Sequence, residues 1–331
     1  MRIESSVTSV SWIPSEAVTG LSKSAFESGI THYDEPLPDQ IDDLESLRVA
    51  DRFRFANRLA AWIEVDDGRI VDAGYSGGGA IGATTVRLGS HDLATLEAFP
   101  LPDKQEPPEI SASGARFVQT AGGRTGLPAP RRVNHPPFMQ FSAPIAWTAL
   151  ALEINVDGTS SFEVVGASTF PRHWIYDADG ALTAKVGLTD FKEWWRHSFG
   201  KHTPWGEETS PAYVTAVETA LERQLSTQIM RGGAKPAIRK VKAGRAVIEQ
   251  GAEDTDLFLL LNGVVSVEVD GEPVAELGPG AVLGERAVLE GGRRTSTVRA
   301  VTDCKLAVAT ADQIAREHLE ELSAGHRREE G

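Results

Sequence analysis

Residues 283–298 read Leu283-Gly284-Glu285-Arg286-Ala287-Val288-Leu289, then Glu290-Gly291-Gly292-Arg293, then Arg294-Thr295-Ser296-Thr297-Val298. A glycine followed by a short apolar turn lets backbone N–H groups approach an anion at a helix start. Arg294 offers a planar fork that can meet a phosphate with two hydrogen bonds. Glu285 is acceptor-only when ionised, so it suits a sugar hydroxyl rather than the phosphate. With eight residues between them, the carboxylate and the guanidinium can grip both ends of a ribose-phosphate.

Around this segment the chain reads as short strands with glycine-bearing turns. Gly251 opens an acidic turn, Glu253-Asp254-Thr255-Asp256, and residues 257–261 form a continuous apolar strand ending at Asn262-Gly263. Val265, Val267 and Val269 alternate with Ser266, Glu268 and Asp270, the pattern of a half-buried strand. Asp270-Gly271 is a two-residue hairpin turn, and Gly278-Pro279-Gly280 reverses the chain again. Strands and turns at this density predict a β-roll or barrel. The single cysteine, Cys304, lies in the apolar run 304–308 and is expected to pack rather than react. Residues 311–323 read as one short helix, followed by a charged tail, His326-Arg327-Arg328-Glu329-Glu330.

Residues 238–310 resemble the cyclic nucleotide-binding domain shared by bacterial catabolite activators, protein kinase regulatory subunits and gated channels. The Gly251 turn, residues 257–263, the 278–280 reversal and the 283–298 cassette carry the resemblance. It implies that Glu285 binds the ribose 2′-hydroxyl and Arg294 the cyclic phosphate. Backbone amides near Ala287 and Val288 are then expected at the phosphate, with Gly284 opening the turn and Thr295 and Ser296 adding hydroxyls. In the family a threonine just after the arginine often accompanies preference for cGMP, while a serine there is compatible with cAMP. The implied ligand is therefore cAMP or cGMP, with no cofactor. Two features depart from the family pattern. The residue before the arginine is Arg293 where proline is usual. No Phe, Tyr or Trp follows Phe258 to cover the base from a final helix.

The rest of the chain is less explicit. All seven tryptophans lie before residue 206, an asymmetry that points to two domains. Ser210, a good N-cap, and Pro211 precede Val214, Val217, Leu221, Leu225 and Ile229, which share one helix face, and Gly232-Gly233 follows as a stop. The division expected is a β-rich domain over 1–210, a connecting helix over 211–231 and the nucleotide domain over 232–331. In the first domain, residues 61–71, 150–165 and 174–186 read as hairpins turning at Asp66-Asp67-Gly68, Asp157-Gly158 and residues 177–180. Residues 40–58 and 189–199 are expected to be helical, and the Pro- and Gly-rich stretch 100–137 to form surface loops. The fold class is mainly β with helical flanks (α+β), its N-terminal sheet antiparallel.

Other motifs are discounted. Gly74-Tyr75-Ser76-Gly77-Gly78 matches a nucleophile elbow, and Gly77-x-Gly79-x-x-Gly82 a dinucleotide fingerprint. The residues that follow make a poor helix, so a glycine-rich connection between strands is expected. His173, His197 and His202 match no ligand spacing, and no metal site is expected. Gly122-Gly123-Arg124-Thr125-Gly126 lacks the lysine of a phosphate loop and reads as a turn. The chain has 47 acidic and 33 basic side chains, without the basic excess that nucleic acid demands. About twenty residues remain after the nucleotide domain, too few for a helix-turn-helix. No signal peptide or run of ~20 apolar residues is present, so a cytoplasmic protein away from membranes is expected. The function expected is that of a receptor whose N-terminal domain binds a protein partner or a second copy. The alternative is an enzyme with an unidentified N-terminal catalytic domain gated by the nucleotide.

Overall fold

Arg2–Trp12 and Phe55–Asp66 pair antiparallel from Arg2↔Glu64 to Ser11↔Phe55, the longest pairing in their sheet. They belong to a computed structural model that describes residues 1–14, 17–18, 23–28, 34–88, 91–97, 99–125, 129–134, 136–186, 190–207, 212, 214–215, 217–218, 220–231, 236–310, 314 and 316–329. The chain divides into two units. One comprises Met1–Pro14, Val18–Ala184 and Phe191–Ala212, the other Ser15–Ala17, Lys185–Asp190 and Tyr213–Gly331. Among the described residues, no helix is long and apolar enough to cross a membrane.

In chain order the first unit runs β1 (Arg2–Trp12), α1 (Lys23–Glu27), α2 (Leu44–Val49), β2 (Phe55–Asp66), β3 (Arg69–Tyr75) and β4 (Gly78–Ile81). It continues with β5 (Ala83–Leu88), β6 (His91–Glu97), β7 (Phe99–Pro100), β8 (Lys104–Gln105), β9 (Glu109–Ile110), β10 (Gly114–Arg124), β11 (Ala129–Arg132) and β12 (Met139–Ser142). Then come β13 (Ile145–Asn155), β14 (Ser160–Ala167), β15 (Arg172–Tyr176), β16 (Leu182–Val186), whose Lys185 and Val186 belong to the second unit, and α3 (Phe191–His197). One sheet orders β16-β15-β1-β2-β3, with β4 also on β2; a second orders β14-β13-β10, with β7, β8 and β9 spaced along β10. β2 packs against β10 and β13, and β1 against β13. Between the sheets Asn57 and Gln119 satisfy each other: the Gln119 amide donates to Asn57 Oδ1 at 2.7 Å, and Asn57 Nδ2 donates to the Thr148 carbonyl at 2.9 Å. Such pairing removes the penalty of burying amides.

The three hairpins form as expected. At the first, Asp67 (φ 47°) and Gly68 (φ 73°) supply the two positive φ angles of a tight turn. Three other expectations are corrected. Residues 40–58 are not one helix. α2 stops at Val49, Asp51 turns at φ 53°, and residues 55–58 lie in β2. The 100–137 stretch contains β10, a central and largely buried strand rather than surface loop. Its Gly122 and Gly123, read as a turn, pair with Trp147 and Ala146.

The glycine motif near Ser76 has a structural use. Ser76 and Gly77 amides both donate to the Ala60 carbonyl, so the chain passes from β3 to β4 along one side of β2. A Cβ on Gly77 would meet the Arg58 carbonyl at 2.2 Å.

His173 is fully buried in β15. A carbonyl can only accept, so its Nε2–H donates to Ser168 O at 2.9 Å, and the Ser11 hydroxyl donates to Nδ1 at 2.7 Å. Burial holds its pKa down at about 4. Below the ordinary value of about 6.5 the unfolded chain therefore takes up this proton first. Stability from His173 is complete above pH 6.5 and falls as pH drops toward 4, by about 3 kcal/mol at ~1.4 kcal/mol per unit. His173→Gln should flatten the urea-midpoint profile across that window; an unaltered profile would remove His173 as its source.

The second unit contains β17 (Val214–Thr215), α4 (Ala220–Arg231), β18 (Ala237–Val241), β19 (Ala246–Ile248), β20 (Leu257–Asn262), β21 (Val265–Val269) and β22 (Glu272–Leu277). It ends with β23 (Val282–Leu283), α5 (Glu285–Leu289), β24 (Thr297–Ala300), β25 (Cys304–Ala309) and α6 (Arg316–Glu329). Two four-stranded sheets, β18-β25-β20-β23 and β19-β24-β21-β22, make a β-roll. β20 explains its own unbroken apolar run. Phe258 and Leu260 enter the core of the roll, while Leu257, Leu259 and Leu261 join a second cluster with Leu225 and Ile229 of α4 and Leu319 and Leu322 of α6. Cys304 packs in the roll, and burial pushes its thiol up to about 11.

The connecting helix begins at Ala220, not 211. β-branched Val214 and Thr215 instead pair with Val186 and Lys185 of β16. Its expected cap (Ser210, Pro211) and stop (Gly232, Gly233) lie outside the described residues. The last helix extends to Glu329, beyond the 323 expected, and the charged tail continues it.

Candidate functional site

Leu283 ends a strand edge and the chain must turn at once into α5. Gly284 makes this turn as the helix N-cap with φ 93° and ψ 6°, a left-handed conformation that favours glycine. Steric need is equally specific: a Cβ on Gly284 would lie 2.4 Å from Arg294 Nη1 and 2.9 Å from the Asp256 carbonyl. The turn leaves Glu285 at the first helical position, 5% exposed.

Arg294 is 3% exposed. Its Nη1 donates to the Gly284 carbonyl at 3.0 Å, and Nη2 donates to Asp254 Oδ2 and the Asp256 carbonyl, each at 2.7 Å. Its backbone is tied to the same turn, since its amide donates to Ala252 O and its carbonyl accepts from Gly251 N. The guanidinium also stands 5.7 Å from the Phe258 ring centroid, within cation–π range. Three of its five N–H donors are thereby used, and Nε is buried with no hydrogen-bond partner among the described residues, so two donors, on Nε and Nη1, stay uncommitted.

Six of the seven residues singled out from sequence line one cavity: Gly284, Glu285, Ala287, Arg294, Thr295 and Ser296. Apolar walls come from Ile248, Val267, Val274 and Leu277, in the strands facing the cassette. The seventh, Val288, packs its side chain toward the α4 and α6 cluster instead. A cavity with two guanidinium groups, Arg286 and Arg294, one carboxylate, two hydroxyls and apolar walls can take a ligand with an anionic group, a hydroxylated ring and a flat apolar face.

Asp254 was not singled out from sequence. Burial opposes its charge, but the Arg294 hydrogen bond, the Asp256 amide and the Arg294 charge outweigh that and hold its pKa below the ordinary aspartate value. The ion pair therefore persists from the ordinary aspartate range upward and is lost only in stronger acid. The only signal was the acidic turn 253–256, whose partner lies forty residues away.

The histidines noted in sequence do not converge. His173 is tied to Ser11 and Ser168, while His197 and His202 rings stand 6.0 Å apart. Among the described residues no group of three or more His, Cys, Asp or Glu is placed to hold a metal ion.

Residues 238–320 match the family model of the cyclic nucleotide-binding domain. A Pycsar effector protein, BcPycTIR, from Burkholderia cepacia is 34% identical over 76 residues, 23% of this chain and 25% of that protein. The human potassium/sodium hyperpolarization-activated cyclic nucleotide-gated channel 3 is 29% identical over 113 residues, 34% of this chain and 13% of the channel. The chain thus spans a quarter or less of the length of these relatives. Among solved structures, the regulatory subunit of a cAMP-independent protein kinase A from Trypanosoma brucei aligns at 23% identity and a TM-score of 0.24, covering 28% of this chain and 34% of that one.

Proposed function

We propose that this chain is a cyclic nucleotide receptor, with cAMP or cGMP bound in the cassette cavity and an N-terminal unit that acts on a protein partner. The observation that carries the reading is Arg294: a buried guanidinium in the cavity wall, beneath the Gly284 turn, with its Nε donor unpartnered among the described residues. A cyclic phosphate is a monoanion with exposed oxygens, which such a fork grips by charge-assisted hydrogen bonds. Glu285 takes the ribose 2′-hydroxyl, the amides opening α5 approach the phosphate, and Thr295 and Ser296 contribute hydroxyls. Ile248, Val267 and Leu277 receive the base. The names of the bacterial effector and the gated channel support a regulatory output. Ligand can bias the N-terminal unit only by binding one of its states more tightly than another.

The test is calorimetric titration of the full chain with cAMP, cGMP and the linear 5′-monophosphates. Micromolar or tighter binding of one cyclic nucleotide is expected, with its linear counterpart at least tenfold weaker. Failure of both cyclic nucleotides to bind folded protein would remove the receptor reading.

A further inference from the structure

Arg286 stands in the wall of the cassette cavity and takes no part in the grip on phosphate and ribose described above. It follows Glu285 directly in α5. Successive residues of a helix point about 100° apart, so the two side chains address different parts of one ligand. Glu285 and Arg294 are buried, whereas Arg286 is partly exposed and so nearer to solvent. The buried pair suits the phosphate and the ribose, and the base is the part that remains for Arg286.

The polar groups of the wall then restrict which base fits. The lining side chains include two guanidiniums, two hydroxyls and one carboxylate; among the described residues no Asn or Gln joins them. With Glu285 engaged by the ribose, the base meets the Thr295 and Ser296 hydroxyls and a guanidinium, which only donates. Val267, Val274 and Leu277 add nothing polar. A purine carries N7 beside its C6 substituent. In guanine both O6 and N7 accept, the pair that one guanidinium meets with two parallel hydrogen bonds. Adenine sets an amino donor beside N7, so the same fork loses one bond and faces a like donor. Between apolar walls such a mismatch is costly, because the unmatched groups have also left water.

We infer that Arg286 determines base specificity, selecting guanine by donating to its O6 and N7. This rests on the receptor reading above and names the ligand as cGMP. Guanine also carries a 2-amino group, which the Thr295 hydroxyl can accept. Cyclic inosine monophosphate separates the two contacts, since its base keeps O6 and N7 and lacks that amino group.

The test is calorimetric titration of the full chain, parent and Arg286 variants, with cGMP, cAMP and cyclic inosine monophosphate. The parent is expected to bind cGMP at least about tenfold tighter than cAMP, and the inosine nucleotide within about threefold of cGMP, as one bidentate base contact implies. Arg286→Met removes the donors and keeps a long stem. Its affinity for cGMP and the inosine nucleotide should fall to the level of cAMP, while cAMP itself stays within about threefold of the parent. Arg286→Gln offers one donor and one acceptor, the pattern that matches adenine, so its preference should turn toward cAMP; it serves also if Arg286→Met fails to fold. A uniform loss of all three nucleotides in either variant assigns Arg286 to the phosphate or ribose and overturns the proposal. So does an inosine nucleotide bound by the parent as weakly as cAMP, which gives the reading of guanine to Thr295. A parent that binds cAMP as tightly as cGMP overturns it too, and leaves the receptor intact. Failure of all three to bind folded parent protein defeats the receptor reading and this one with it.

Discussion

Arg294→Ala is expected to weaken cyclic nucleotide binding at least a hundredfold. Two hydrogen bonds from a guanidinium to an anionic oxygen contribute about 1.5–3 kcal/mol each, and about 1.4 kcal/mol is tenfold in affinity. The variant also disturbs the unliganded protein, because the Gly284 and Asp256 carbonyls and Asp254 lose their donor. Loss of binding therefore needs a companion that keeps the charge. Arg294→Lys retains a cation but cannot present a planar fork, so its affinity should fall between parent and alanine. Calorimetry together with urea unfolding separates the causes. Alanine-variant protein that unfolds like the parent and binds nucleotide within threefold of it would take the phosphate away from Arg294.

The part of this site that sequence exposes is the part that is local. Gly284, Glu285 and Arg294 lie within eleven residues, so their spacing alone carries the chemistry. Asp254 reaches the guanidinium from a turn forty residues earlier in the chain, and a carboxylate in an acidic turn has no pattern that names its partner. The fold divides similarly. Asp67-Gly68 and Asp270-Gly271 declare their turns because left-handed backbone is a local property. β20 declares itself because burial on both faces leaves no polar position. β10 is concealed by Gly122, where the sequence is read as loop and the cause is close packing. A Cβ there would meet Trp147 Cβ at 2.6 Å and Trp205 at 2.8 Å. The connecting helix is overextended because Val214 and Val217 continue its periodicity by coincidence, while β-branched Val214 and Thr215 find a strand partner in β16. In both errors a tertiary contact outweighs the local preference.

Gly284→Ala should abolish nucleotide binding although it adds one methyl group and leaves every charged residue in place. Two independent penalties fall on that methyl. Left-handed backbone costs a non-glycine residue about 1–2 kcal/mol. The added Cβ would also sit 2.4 Å from Arg294 Nη1 and 2.9 Å from the Asp256 carbonyl. The side chain can yield but the carbonyl cannot do so without moving the turn that holds it. Relief therefore comes by expelling the guanidinium from its seat and tilting the start of α5, which misplaces Arg294 and Glu285 together. The expected result is no measurable heat with either cyclic nucleotide and a free energy of unfolding lowered by about 2 kcal/mol or more. Gly271→Ala is the control, because its φ of 87° imposes the same backbone strain while its Cβ has open space around it. It should lose stability and keep affinity. If both variants bind as the parent does, the close approach of Gly284 to Arg294 has no part in recognition. If both lose binding equally, strain in the roll rather than geometry at the cassette governs affinity.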